Sequence, residues 1–409
     1  MKRFFLLALS FLCMSFLASI PSKAETNDKN IPDSAKAMPF TYYKQSIILN
    51  CLVDGKYPGH FLFDTGAGTD LYLDTTYINE VKFPIKHRYR GFSFTGLSGK
   101  EKVRLGLVEV CLTNHGNLIN YPSFYMLDIR AITGRFTSGI MSLYQFKKTP
   151  FEINFENQFI RRLNEVPDSV KRMATCLPIT YKRRQILVNA TVYVEDRKIS
   201  GLYVLDTGNG NSVYLLKAAA RQFDLEGCQR KKPKALTGKI GVGNKNLQTV
   251  STILADSIDF GGYKLQPTPI FYQPDSEGDL GKVPFVGLIG IGVLKHFNMV
   301  IDIPNERLYV WKNKMESDKS DNRIISFNFV NRSDVCDGGI VGSLMEGSDA
   351  QNAGICIGDT ILSVNGKAVK DMTAEEESEC MKSSEVNVTW RGKDGKVKQA
   401  DIKARDYWN

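Results

Sequence analysis

Histidine is scarce: His60, His87, His115 and His296 are the only four in 409 residues. No two stand at ligand spacing, and neither an H-E-x-x-H nor a C-x-x-C pattern occurs. A zinc hydrolase or zinc finger therefore has no ligand set to start from, and no metal or cofactor is expected. Gly-x-Ser-x-Gly is absent as well, which removes the serine-nucleophile elbow. Gly290-Ile291-Gly292 lacks the third glycine and the strand–helix setting of a dinucleotide site, and reads as packing. Basic clusters such as Lys182-Arg183-Arg184 and Arg230-Lys231-Lys232 have no aromatic residues interleaved, so nucleic acid is not an expected partner. With 43% hydrophobic and 24% charged residues the balance is globular, and wholesale disorder is excluded.

Long apolar runs are equally rare. The one candidate, Phe4 to Ile20, follows Lys2-Arg3 and precedes Ser22-Lys23-Ala24, with small residues at −3 and −1 of a cut after Ala24. It reads as a secretory signal peptide over 1–24. An uncleaved anchor is the alternative, since about 17 residues is the lower limit for a span. The expected product is exported, periplasmic or extracellular, without stable membrane insertion, and a monomer. Seven cysteines remain after the cut, an odd number whose pairing spacing does not reveal. Cys51 and Cys356 lie in apolar contexts that suit small core residues. The chain is +9 overall, yet residues 325–409 hold 10 basic against 14 acidic side chains. That asymmetry places a boundary near the charged run from Lys314 to Asp321.

The chain contains its own near-copy. A shift of 142 positions lays 54–73 on 196–215 with nine of twenty residues identical and no gap. A shift of 148 lays Gly139-Ile140-Met141 on Gly287-Leu288-Ile289 and pairs Ile153 with Ile301. Two copies, about 40–163 and about 178–312, suggest two lobes facing across a pseudo-twofold axis. Their local signals are β: short apolar runs such as Phe61-Leu62-Phe63 and Tyr203-Val204-Leu205, with glycine turns at short intervals. The clearest short helix is Leu215 to Phe223.

Asp64 and Asp206 end those two runs at matched places, each followed by Thr-Gly. A carboxylate at the end of a buried strand is costly unless it is hydrogen-bonded or functional. One Asp-Thr-Gly arises by chance in roughly one chain in ten of this length, but not two at matched points of a repeat. If a twofold relates the lobes, Asp64 and Asp206 meet at the axis, share a proton and can activate a water.

Asp64-Thr65-Gly66-Ala67 and Asp206-Thr207-Gly208-Asn209 resemble the active-site loops of aspartic proteases, of the secreted bacterial, retropepsin-like and pepsin-like kind with two lobes in one chain. Gly287-Leu288-Ile289-Gly290 is similar to the family's element that packs behind the catalytic loop. The resemblance covers about 40–312. It implies two β-barrel lobes, at 40–165 and 176–313, joined to the signal by a linker at 25–39. It implies Asp64 and Asp206 as the catalytic pair, Thr65 and Thr207 as cross-lobe threonines, and Gly66 and Gly208 as loop glycines. Flap candidates are Thr95, Gly96, Ser98 and Gly99 in copy one, with Gly238 and Gly241 in copy two. Three positions depart from the family pattern. Gly68 and Gly210 replace Ser or Thr, so bonds to the outer carboxylate oxygens are missing or come from Thr69 and Ser212. Asn209 replaces a small residue, and Ser142 stands where a glycine is usual.

After a linker at 314–324 the pattern changes. Ser348-Asp349-Ala350-Gln351 and Thr373 with Glu376 are capping boxes, and Asn365-Gly366 and Asp394-Gly395 are hairpin turns. The stretch from Gly347 to Gly366 is similar to bacterial PDZ domains, which implies an α+β domain over 325–409 that takes chain ends or extended peptides. It lacks an evident Gly-Φ-Gly-Φ loop; Ser326-Phe327-Asn328-Phe329 stands there instead. The expected function is an exported aspartic endopeptidase acting on extended polypeptides, with the last domain for peptide binding or regulation. The alternative is a protease-like envelope protein that holds peptides without cutting them.

Overall fold

A computed structural model of the chain describes residues 37–409, apart from 69, 85–88, 97–98, 239–246, 274–284 and 315–321. For 89–96 and 99–102 the backbone alone is described. The expected signal peptide lies outside these residues, as do Thr69, Ser98 and Gly241.

The molecule is mostly β-sheet. In copy one, strands Ser46–Val53 and Tyr57–Phe63 form a hairpin, rich in aromatic and β-branched residues. Strand Gly139–Met141 lies parallel to Tyr57–Phe63 and antiparallel to Leu71–Asp74. Copy two repeats this arrangement. Strand Gly287–Ile289 lies parallel to Arg197–Leu205 and antiparallel to Val213–Leu215, with Gly287 opposite Tyr203 as Gly139 is opposite Phe61. The helix after each crossing, Thr75–Glu80 and Lys217–Gln222, also recurs.

A shared antiparallel sheet fuses the copies. Its order is Met38–Tyr43, Phe159–Arg162, Phe151–Asn154, Phe297–Asp302, Arg307–Lys312, Thr175–Lys182. At the seam Glu152 pairs with Val300, its own counterpart at the 148-residue shift. Phe151 pairs with Ile301, the counterpart of Ile153, and Ile153 pairs with Met299, the counterpart of Phe151. A register that maps onto itself under exchange of the copies requires a local twofold axis there. The first strand of the sheet begins at Met38, inside the expected linker, because Met38 is buried opposite Ile160.

Strand alternation sorts side chains onto two faces. Phe61, Phe63, Tyr203 and Leu205 join the main core, whereas Leu62 and Val204 point the other way into two smaller clusters. Cys51 is buried as expected, but Cys356 is exposed, at the turn that precedes Gly358 and Asp359.

The C-terminal unit packs strands Phe327–Asn331, Gly339–Met345, Thr360–Val364, Glu385–Arg391 and Val397–Lys403 with helices Asp349–Asn352 and Ala374–Cys380. Asn365 and Gly366 have φ of 52° and 79°, the left-handed pair of a two-residue hairpin turn. Thr373 and Glu376 complete a capping box. At Ser348 only half of one forms, because the Gln351 side chain accepts from the amide of Gly347. Its core includes Phe327, Phe329, Leu344, Ile361 and Trp390. The unit is joined to the copies by more than the chain. Strand Gly339–Met345 pairs antiparallel with Lys234–Thr237 of copy two. Ile324 of the expected linker bridges to Arg405, and buried Trp408 donates to Thr252 Oγ1 at 3.0 Å.

Candidate active site

Each Asp-Thr-Gly loop leaves the end of a strand that is clamped on both edges. The Asp64 amide donates to Met141 O and the Asp206 amide to Ile289 O, both at 2.9 Å. The clamping strands leave no room for a side chain at Gly139 or Gly287, where a Cβ would strike the carbonyl of Tyr72 or Tyr214.

The loops then interlock. The Thr65 amide donates to Thr207 Oγ1 and the Thr207 amide to Thr65 Oγ1, both at 3.0 Å. Thr65 Oγ1 donates onward to Leu205 O at 2.6 Å, and Thr207 Oγ1 to Phe63 O at 2.8 Å. Four bonds thus cross the twofold axis, all buried. Beyond them each carboxyl reaches the opposite loop. A Cβ at Gly66 would lie 2.6 Å from Asp206 Oδ1, and one at Gly208 would overlap the Asp64 carboxyl. The loop glycines are therefore required by close approach, and the structure brings together all six residues Asp64, Thr65, Gly66, Asp206, Thr207 and Gly208.

The two carboxyls are not equivalent. Asp64 Oδ1 accepts from the amides of Gly66 at 2.7 Å and Ala67 at 2.9 Å. Asp206 Oδ1 accepts from Gly208 at 3.0 Å. Asn209, where copy one has Ala67, turns its amide to Asp206 O and uses its side chain to accept from the Asn211 amide. Both Asp residues are fully buried, and burial raises both carboxyl pKa values. Backbone N–H donors oppose the rise at Asp64, while the Asp64 charge adds to it at Asp206. The two carboxyls titrate as a pair that holds a shared proton above the usual carboxylate range, because burial disfavours charge on both. Among the described residues no other group bonds Oδ2 of Asp64 or of Asp206, and the two carboxyls lie against each other. Ser212, one expected source of such a bond, donates to Pro269 O instead.

The other departures have local causes. Gly290 is required because a Cβ there would strike the carbonyls of Asn209 and Asn211, and Gly292 presses on Ser212. Copy one accepts Ser142, whose carbonyl receives the Tyr121 hydroxyl at 2.8 Å. Of the flap candidates, Thr95, Gly96 and Gly99 lie on a hairpin, with Gly96 paired to Gly99. Gly238 sits elsewhere: its amide donates to Gly342 O at 2.9 Å, and a Cβ on it would meet Ile357. The arm of copy two is thus tied to the C-terminal unit.

That junction was not legible as a motif. Tyr43 OH donates to Glu377 Oε1 at 2.8 Å, Asn331 Nδ2 to Glu377 Oε2 at 2.7 Å, and Lys44 forms an ion pair with the same buried carboxylate. The Arg135 amide donates to Asn331 O at 2.9 Å, and Lys44 Nζ to Phe329 O at 2.9 Å. Trp408 in the charged tail, which docks on copy two at Thr252, is a residue whose size could have signalled a contact.

The PDZ domain family model matches residues 315–390. Among solved structures, an aspartic proteinase from Irpex lacteus is similar at 14% identity and a TM-score of 0.42, over 68% of this chain and 97% of that one. Basic 7S globulin from soybean is similar at 11% identity and a TM-score of 0.39, over 67% of this chain and 94% of that one. No curated protein matches the sequence.

Proposed function

We propose that the protein is an aspartic endopeptidase that hydrolyses extended polypeptides, exported to the periplasm or beyond. The observation that carries this reading is the pair of interlocked Asp-Thr-Gly loops with two buried, inequivalent carboxyls in contact across a twofold axis. A water between the Oδ2 atoms would give a proton to Asp64 as its oxygen attacks the scissile carbonyl carbon. Asp206 would give its proton to the carbonyl oxygen, forming a neutral tetrahedral diol. Collapse returns the diol proton to Asp206 as the C–N bond breaks, and the proton on Asp64 passes to the leaving nitrogen. The dyad ends as it began, and this chemistry calls on no other group. Turnover needs one proton on the pair, so the rate should be bell-shaped in pH.

The test is cleavage of an unfolded protein across pH 3–8, with and without pepstatin. Asp64→Asn and Asp206→Asn should each lose at least about 10²-fold in rate while keeping the fold. Unchanged turnover in either variant would overturn the assignment. The complete burial of both carboxyls favours a second reading, a peptide-holding protein without turnover. Absence of cleavage by properly folded chain at every pH, whether or not its cleft is open, would favour it. For the C-terminal PDZ domain the ligand we propose is a chain end, taken up when its strand edge is free.

A further inference from the structure

A dyad that cleaves peptides has to touch its substrate, yet Asp64 and Asp206 are both 0% exposed. The face on which they lie is identifiable by alternation: Leu62 and Val204, two residues before each aspartate, share its side of the strand. In copy two that face, around Val204, Tyr214 and Leu288, is packed by Ile324, Met345 and Trp408. In copy one the matching cluster around Leu62 and Ile140 receives Ala374. All four covering residues come from beyond residue 321.

Among the described residues, two cavities border this face. A cavity of about 70 Å³ runs from Leu62 and Ile48 to Phe329, Val330 and Gly342. A separate one of about 40 Å³ lies beside Gly210, Asn211 and Ser212 and is walled by Ile324 and Trp408. Here the C-terminal unit forms part of the wall of both chambers.

The cover is fastened on both copies. Copy two contributes the strand pairing of Lys234–Thr237 with Gly339–Met345. Copy one contributes the Lys44–Glu377 ion pair, the Arg332–Asp128 pair at 3.2 Å, and Arg130 with Asp334 at 3.8 Å. Lys44 and the Arg135 amide also occupy carbonyls of strand Phe327–Asn331, the acceptors an added strand would use.

We infer that the C-terminal unit is a built-in cover, and that the chain in this arrangement is latent until the unit swings off the cleft. This rests on the proteolytic reading of the dyad. Two full-length variants test it from opposite sides. Lys44→Met with Glu377→Gln removes the ion pair at nearly constant volume, so that the unit keeps its core. Thr237→Cys with Ser343→Cys places thiols on directly paired residues, where a disulfide would lock the unit in place.

Amide hydrogen exchange in 234–237 and 339–345 reports opening independently of catalysis. Cleavage of a reduced, carboxymethylated protein reports access. The neutral pair should exchange faster there and turn over at least about tenfold faster than wild type, a shift of tenfold in the open population. The oxidised lock should lose turnover and regain it with reductant, relative to wild type treated identically. Equal turnover of locked and reduced chains would overturn the cover and leave the endopeptidase reading standing. Chains that open by exchange yet cut nothing at any pH would overturn both. If the neutral pair fails to open, the lock alone decides between these outcomes.

Discussion

Asp64 and Asp206 are chemically the same residue in two settings, and the difference is a matter of one backbone donor. Asp64 Oδ1 holds two amides and Asp206 Oδ1 one, because the Asn209 amide turns to the Asp206 main-chain carbonyl. The arrangement has a cost in stability. Burial raises both pKa values, so the folded chain retains a proton that the unfolded chain releases above about pH 4. The stability contributed by the neutral form is complete below that pH and is lost as pH rises through the folded value. Asp206→Asn should therefore match wild type in urea unfolding near pH 3.5 and exceed it at pH 8 by more than about 1 kcal/mol, roughly one pKa unit's worth. A wild-type chain more stable than the variant at pH 8 would contradict the burial account. At this scale the aspartates and threonines were legible because a short motif recurs at matched positions. The surroundings of the Oδ2 atoms were not. Ser212 donates to Pro269 O, 57 residues along the chain, a partner that no local pattern shows.

Among elements, the loops are positioned by what lies beneath them. In copy two Gly290 supports the loop with no space to spare, since a Cβ would come within 2.4 Å of Asn211 O. Gly290→Ala should cost about 2–3 kcal/mol or more, because backbone rather than a flexible side chain must move. It should also shift the loop and slow cleavage. Ser142→Gly at the equivalent place in copy one should be tolerated within about 1 kcal/mol, as the Tyr121 bond goes to its carbonyl. Thermal unfolding of the pair of variants checks both. Helix Lys217–Gln222 and the turn at Asn365-Gly366 follow the expectation from periodicity and turn chemistry. The partner of strand Lys234–Thr237 did not. Its alternation marks a buried strand equally well whether the neighbour belongs to its own copy or to another domain.

For the molecule as a whole, the repeat in the sequence becomes a symmetry in space through two contacts, the seam at Glu152 and Val300 and the threonine interlock. Thr65→Val would keep the volume of the side chain and remove its hydroxyl. The Thr207 amide and Leu205 carbonyl would lose their partners in a site sealed from water. Each such loss costs about 1–3 kcal/mol, so a fall of about 2–5 kcal/mol in urea-unfolding stability is expected, with Thr65→Ser close to wild type. An unchanged midpoint would mean that the seam alone holds the copies together. The pseudo-twofold was readable from the shifts of 142 and 148. Where the last domain sits was not, because the contacts that place it are single residues far apart in sequence, Tyr43 and Lys44 against Glu377.

The pairing of Lys234–Thr237 with Gly339–Met345 bears on handling as well as on control. Main-chain ladders are indifferent to side-chain identity, so either strand, once parted from the other, offers its bare row of donors and acceptors to any neighbouring molecule. A chain shortened ahead of Phe327 would carry such a raw margin permanently, next to the apolar surface around Val204 that Met345 and Trp408 had shielded. Stickiness and precipitation during purification, rather than a tidy smaller enzyme, are what that truncation should yield.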